Sequence, residues 1–157
     1  MAIEQARQHL KRWGEDHRIQ EFQGSSATVE LAAKALCCIP ARIAKTLAFH
    51  GSSGPILIVT AGDAKIDNQK YKQTFGMKAK MLSYEEVEPL IGHQVGGVCP
   101  FGIRPGVIVY LDESLKRFST VFPACGSANS AIELTIQQLE RYSAFEKWVD
   151  VCKGWNK

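Results

Sequence analysis

The sequence predicts an α+β fold, a single domain of helices and a mixed β-sheet. Three observations carry that expectation. Apolar runs such as "RIAKTLAF", "PILIVT" and "VIVYLD" are short and bounded by turn residues, as strands in local hairpins are. Between them lie segments with apolar residues at helical spacing, two of them opened by capping boxes. The alternation of hairpin strands with helices implies a mixed sheet. With 157 residues, 45% hydrophobic and 22% charged, the chain is long and apolar enough for one core, so residues 1–157 are read as one domain without repeat or linker.

In chain order, Ile3, Ala6, Leu10 and Trp13 recur at helical spacing and predict an amphipathic helix ending near Gly14. Arg18 to Gln23 alternates and reads as a strand. Thr28 is placed as an N-cap, with Glu30 in the first turn of the helical run "VELAAKALCC" and Pro40 as its stop. "ARIAKTLAFH" fits strand by alternation and helix by its alanines. The "GSSGP" turn and the apolar "ILIVT" after it favour a hairpin of Ile43–Phe49 with Pro55–Thr60. Asp67 to Phe75 reads as a helix closed by Gly76, and Ser83-x-x-Glu86 opens one closed by Gly92. Residues 107–112 and 118–125 are β-rich, and Ser130 to Leu134 reads as one more strand. Thr135-x-x-Gln138 is a second capping box. Phe145, Trp148, Val149 and Cys152, spaced by three, four and seven, predict a packed closing helix.

Composition excludes several classes. No segment approaches the roughly 20 apolar residues needed to span a bilayer. The amino terminus lacks the apolar core of a signal peptide, so a cytoplasmic location is expected. Five cysteines, at 37, 38, 99, 125 and 152, include no C-x-x-C pair, which disfavours a disulfide framework or a zinc ribbon and fits a reducing compartment. His9, His17, His50 and His93 are scattered, so no metal or other cofactor is expected. The net charge of +3 decides little, but five lysines and one acid fall between Lys65 and Lys80. That run is either a solvated face or a patch that meets phosphates.

The stretch "HQVGGVCPFG" (93–102) offers two chemistries. Cys99 with His93 nearby could form a thiol hydrolase, although a free cysteine is by default a buried core residue. "GSSG" at 51–54 is not the serine elbow G-x-S-x-G. No Gly-Lys-Ser/Thr follows the glycines, so a phosphate P-loop is excluded. The other chemistry is main chain. Glycine lets backbone approach a ligand closely, and successive N–H groups can stabilise an oxyanion without an ionisable residue. Read alone, such a loop is by default a plain surface turn. Lys45 is the second odd residue. A lysine inside an apolar strand either snorkels out at the sheet edge or reaches into a pocket.

Four blocks, "TVELAAKALCCIPARIAKTLAF", "GDAKIDNQKYKQTFG", "GGVCPFG" and "CGSANSAIEL", resemble in order and spacing the YbaK/prolyl-tRNA-synthetase-associated editing domains, over roughly Thr28 to Leu134. The resemblance implies a curved mixed β-sheet surrounded by helices, with a cleft on one side, and a freestanding aminoacyl-tRNA deacylase that hydrolyses the ester of mischarged tRNA. Such a second sieve is needed because a synthetase pocket separates side chains differing by one methylene by only about 1–3 kcal/mol.

In the resemblance, Lys45 of the "KTL" block matches the family's essential lysine and would hold the terminal adenosine or its phosphate. Thr46 beside it would contact substrate. Gly96 opens the loop ending at Pro100 and would position the ester, with Gly97, Val98 and Cys99 along the same wall. Gly126 and Ser127 would close the opposite side. Lys70 and Lys72 would meet acceptor-stem phosphates. The implied partners are mischarged tRNA and an aminoacyl-tRNA synthetase. Water or a ribose hydroxyl would attack, with no protein nucleophile. The cysteine-removing branch has a serine near Ala124 and an aspartate near Ala131. Their absence here disfavours cysteinyl-tRNA, and "SSATVELAA" resembles the branches that remove small residues such as alanine, serine or threonine. A binding module that holds aminoacyl-tRNA or an aminoacyl-nucleotide without cleaving it is the alternative.

Overall fold

A long hairpin lies at the centre of the computed structural model, which describes residues 2–155. In chain order the elements are α1 (Ala2–Lys11), β1 (Gln20–Glu21), α2 (Val29–Leu36), β2 (Ile43–Gly51), β3 (Gly54–Ala61), β4 (Lys65–Ile66), α3 (Asn68–Phe75), α4 (Tyr84–Ile91), β5 (Ile108–Asp112), β6 (Thr120–Pro123), β7 (Ser130–Ala131), β8 (Leu134–Thr135), α5 (Ile136–Ser143), β9 (Lys147–Val149) and β10 (Cys152–Lys153). The main sheet is six-stranded in the order β8-β6-β2-β3-β5-β9, and it is mixed and curled, as the sequence predicts. β2 and β3 are antiparallel, whereas β6 joins β2, and β5 joins β3, in parallel. Because β3 has neighbours on both edges and layers on both faces, residues 56–61 are all buried, which is why it reads as an unbroken apolar run. No helix among the described residues is long and apolar enough to cross a membrane.

The caps read from the sequence are present. Thr28 accepts from the Leu31 amide, Asp67 caps α3, and Ser83 and Thr135 form full capping boxes. Gly76 and Gly92 close their helices in the left-handed region.

Five expectations about the fold need correction. The first helix ends at Lys11, and a tight turn carries the chain through Trp13 to Gly14. Helix α2 ends at Cys37, itself left-handed at φ 56°, so Pro40 does not stop it but opens a short 3-10 turn. The strand expected over 18–23 shrinks to β1, and the one expected over 130–134 splits in two: β7 pairs with β1, and β8 with β6.

The largest departure is the carboxyl-terminal segment, which is not a helix. Ala144 turns left-handed at φ 51° and ends α5. The Glu146 amide then donates to the Val109 carbonyl at 2.7 Å, which lays residues 147–149 beside β5 in parallel. Buried Val149 and Val151 flank exposed Asp150, a two-residue period that the helical spacing of the aromatic residues concealed. Asp112 fixes the segment, one carboxylate oxygen accepting from Val151 and the other from Ser114, each at 2.9 Å.

Candidate functional site

The site forms where the sheet splits. β6 pairs with β2 only at Ile43 and Ala44. The Arg42 guanidinium holds the strands together there, bonding Thr120 and lying 3.2 Å from Glu133, with the Phe122 ring under it. Beyond Ala44 the strands part. Further along the same edge, Ala48 accepts from Leu82 at 3.0 Å, and His50 donates to Lys80 at 2.8 Å. Strand alternation points the main chain of Thr46 the same way, into the gap between these two contacts. The Thr46 hydroxyl oxygen is buried and, among the described residues, has no hydrogen-bond partner.

A cleft of about 450 Å³ opens at this gap. Its walls come from the segment leading into α2 (Ser26 to Val29), from β2 (Ile43 to Ala48), from the start of α4 (Met81 to Val87), from Val95, Gly96 and Val98, and from the ends of β6 and β7. The lining is mostly apolar and small, with Lys45 as its one charged side chain among the described residues. Lys45 is half-buried, and desolvation lowers its pKa, opposed by the carboxylates of Asp63 and Glu30. Among the described residues its amine has no hydrogen bond or ion pair. Lys45 is among the residues that line the cleft.

Glycine geometry explains the wall. Gly96 sits at φ 97°, and a Cβ there would lie 3.2 Å from that of Ala27. A Cβ on Gly97 would meet the Ser127 amide nitrogen at 2.5 Å and the Gly126 carbonyl carbon at 2.7 Å. The 96–97 turn therefore packs backbone to backbone on the 126–127 turn, which only glycine permits. The segment before α2 joins them, with the Ser26 amide donating to Ala128 at 2.6 Å.

The cleft thus gathers Lys45, Thr46, Gly96 and Val98 but not the remaining candidates. Gly97, Cys99 and Pro100 are buried behind the wall, and Gly126 and Ser127 buttress it from the far side. Cys99 is fully buried, its thiol pushed up to about 12 by desolvation. His93 Nε2 lies 3.6 Å from that sulfur, but it donates to the Phe101 carbonyl at 2.6 Å, so it has no lone pair for the thiol. The thiol-hydrolase arrangement is absent. Lys70 also differs from expectation. Its amine bonds Asp150 at 3.1 Å and the Cys152 carbonyl at 3.0 Å, tying α3 to the carboxyl-terminal segment, while Lys72 is exposed. Among the described residues no group of three His, Cys, Asp or Glu side chains is placed to hold a metal.

Sequence reasoning missed the wall made by the start of α4. Tyr84, Val87 and Ile91 share one helical stripe, which reads as core; Val87 and Ile91 are buried, yet Tyr84 is 77% exposed at the cleft. The unpartnered edge at Thr46 also carries no local signal, because it depends on where β6 diverges.

Residues 24–142 match the model of the family described as the aminoacyl-tRNA editing domain. The Bacillus subtilis protein YwhH is 55% identical over 99% of both chains. A proline–tRNA ligase of Bacillus cytotoxicus is 26% identical over 71% of this chain, which spans 20% of that ligase. A crystal structure described as that of a candidate trans-editing enzyme for prolyl tRNA synthetase superposes with a TM-score of 0.87 at 27% identity, covering 98% of each chain.

Proposed function

The chain belongs to the aminoacyl-tRNA editing domain family, and from that premise we propose that it is a trans-acting deacylase that hydrolyses the ester linking a wrong amino acid to tRNA. One observation carries this reading: Lys45, Thr46 and Gly96 line one cleft whose walls, among the described residues, include no cysteine or histidine. In the reaction, water, or a ribose hydroxyl acting with it, attacks the ester carbonyl. The acyl–oxygen bond breaks, the amino acid leaves as its carboxylate, and the ribose oxygen takes a proton. Gly96 brings main chain close to the carbonyl, where backbone donors stabilise negative charge at a few kcal/mol each in favourable cases. Lys45 holds the terminal ribose or its phosphate, its amine strengthened by an apolar surround. Thr46 offers a hydroxyl that has nothing else to bond.

Among the described residues the cleft wall has no carboxylate to pair with a cationic side chain, which supports an uncharged, small amino acid such as alanine, serine or threonine. The likeness to the structure described for prolyl tRNA synthetase supports tRNA as the substrate and a synthetase as the source of the error. A grid of mischarged tRNAs tests the proposal. The parent protein should release amino acid from at least one, and Lys45→Ala should lower that rate by about a hundredfold or more while remaining folded. Saturable binding without release from any tRNA would assign the chain to the holding module instead. Full activity in Lys45→Ala would remove the mechanism.

A further inference from the structure

Three exposed apolar side chains gather at the mouth of the cleft. Met81 is 55% exposed, Tyr84 77% and Val95 50%. Tyr84 has no structural task to explain that exposure. The helix start is already secured by Ser83 and Glu86, and Glu86 is further held by His50 at 3.1 Å. Among the described residues Tyr84 stacks on no other ring, and its hydroxyl makes no hydrogen bond. An apolar patch joined to a cleft marks a binding surface.

Size and charge identify what covers it. A cleft of about 450 Å³ takes a drug-sized molecule, far more than a small amino acid fills. The strand-like segment that delivers Met81 carries Lys78 and Lys80, both exposed and free of ion pairs among the described residues. An aromatic face flanked by lysines is the arrangement that binds single-stranded nucleic acid, because every base offers a π-face and every linkage a phosphate. We propose that Tyr84, with Met81 beside it, is the stacking platform for the unpaired terminal base of the nucleic acid whose esterified end enters the cleft. This rests on the deacylase reading for the identity of that end, but it needs no catalysis. It makes Tyr84 a positioning residue, setting how deeply the ester descends towards Thr46.

The test is equilibrium binding of an uncharged RNA hairpin that reproduces an acceptor stem with a single-stranded CCA end. Anisotropy would be read on the parent protein, Tyr84→Ala and Tyr84→Trp, and on a second hairpin whose last nucleotide lacks its base. Tyr84→Ala should weaken binding by about tenfold, Tyr84→Trp should keep it, and the abasic hairpin should lose a similar factor on the parent but little more on Tyr84→Ala. Equal affinity of Tyr84→Ala and parent, no binding by the parent, or an abasic penalty that is the same on both proteins would overturn the platform. A Tyr84-dependent hairpin affinity with no release from any charged tRNA would remove the hydrolytic reading and leave the platform. Release that is insensitive to Tyr84 would do the reverse.

Discussion

Lys45 costs the folded protein stability at neutral pH. Desolvation lowers its pKa in the fold below that of the unfolded chain. Between the lowered and the ordinary lysine value the unfolded state binds more protons, so stability rises with pH across that window. Below the window the whole penalty applies. Lys45→Met keeps the length and apolar stem of the side chain but removes the charge. It should melt higher than the parent at pH 7, and the gap should close as pH rises towards 10. Deacylation should fall by about a hundredfold or more in the same variant. Thermal melts from pH 7 to 10 check the first point, and a variant less stable than the parent throughout would show the amine to be a structural tie. Thr46 belongs to the same argument, since a buried hydroxyl without a partner is tolerated where a ligand supplies one.

Between elements, the wall of the site depends on glycine where two turns meet. Gly97→Ala places a methyl group 2.5 Å from the Ser127 nitrogen, and the obstructing atoms are backbone that no rotamer change can clear. The variant should lose about 1–3 kcal/mol in urea unfolding. It should also lose editing activity beyond that, because the turn carrying Gly96 is lifted from its support. Unchanged unfolding would mean that the turns separate at no cost and do not define the cleft. The helix caps and the hairpin turn were legible, because each depends on residues within four positions of one another, whereas the packing of the 96–97 turn on the 126–127 turn joins positions far apart in sequence. Tyr84 was not legible either. Its stripe reads as core, and only the arrest of β6 pairing at Ala44 decides that the first turn of α4 faces an opening. The carboxyl-terminal strands were hidden for a related reason: β9 exists because the edge of β5 is open to it, a partner far away in sequence.

At the scale of the whole molecule, the lysine run divides into two jobs that composition could not separate. Lys70 is spent inside the fold, joining α3 to Asp150 and the Cys152 carbonyl, so Lys70→Ala should destabilise the carboxyl-terminal strands and leave ionic attraction nearly intact. Lys72, Lys78 and Lys80 are exposed and without ion pairs among the described residues, and Lys80 adjoins Met81 at the cleft mouth. With a net charge of only +3, attraction for RNA must come from such local clusters. Each phosphate contact contributes roughly 0.7–0.9 to the slope of log affinity against log salt. Replacing Lys72, Lys78 and Lys80 together by glutamine should therefore flatten the slope for a tRNA by about 2 and weaken binding most at low salt. Lys70→Ala should leave the slope where it was. Affinities measured between about 50 and 200 mM salt decide the matter. A slope unchanged in the triple variant would make the patch plain solvated surface, and a slope lost in Lys70→Ala would mean that the ion pair with Asp150 opens when RNA arrives.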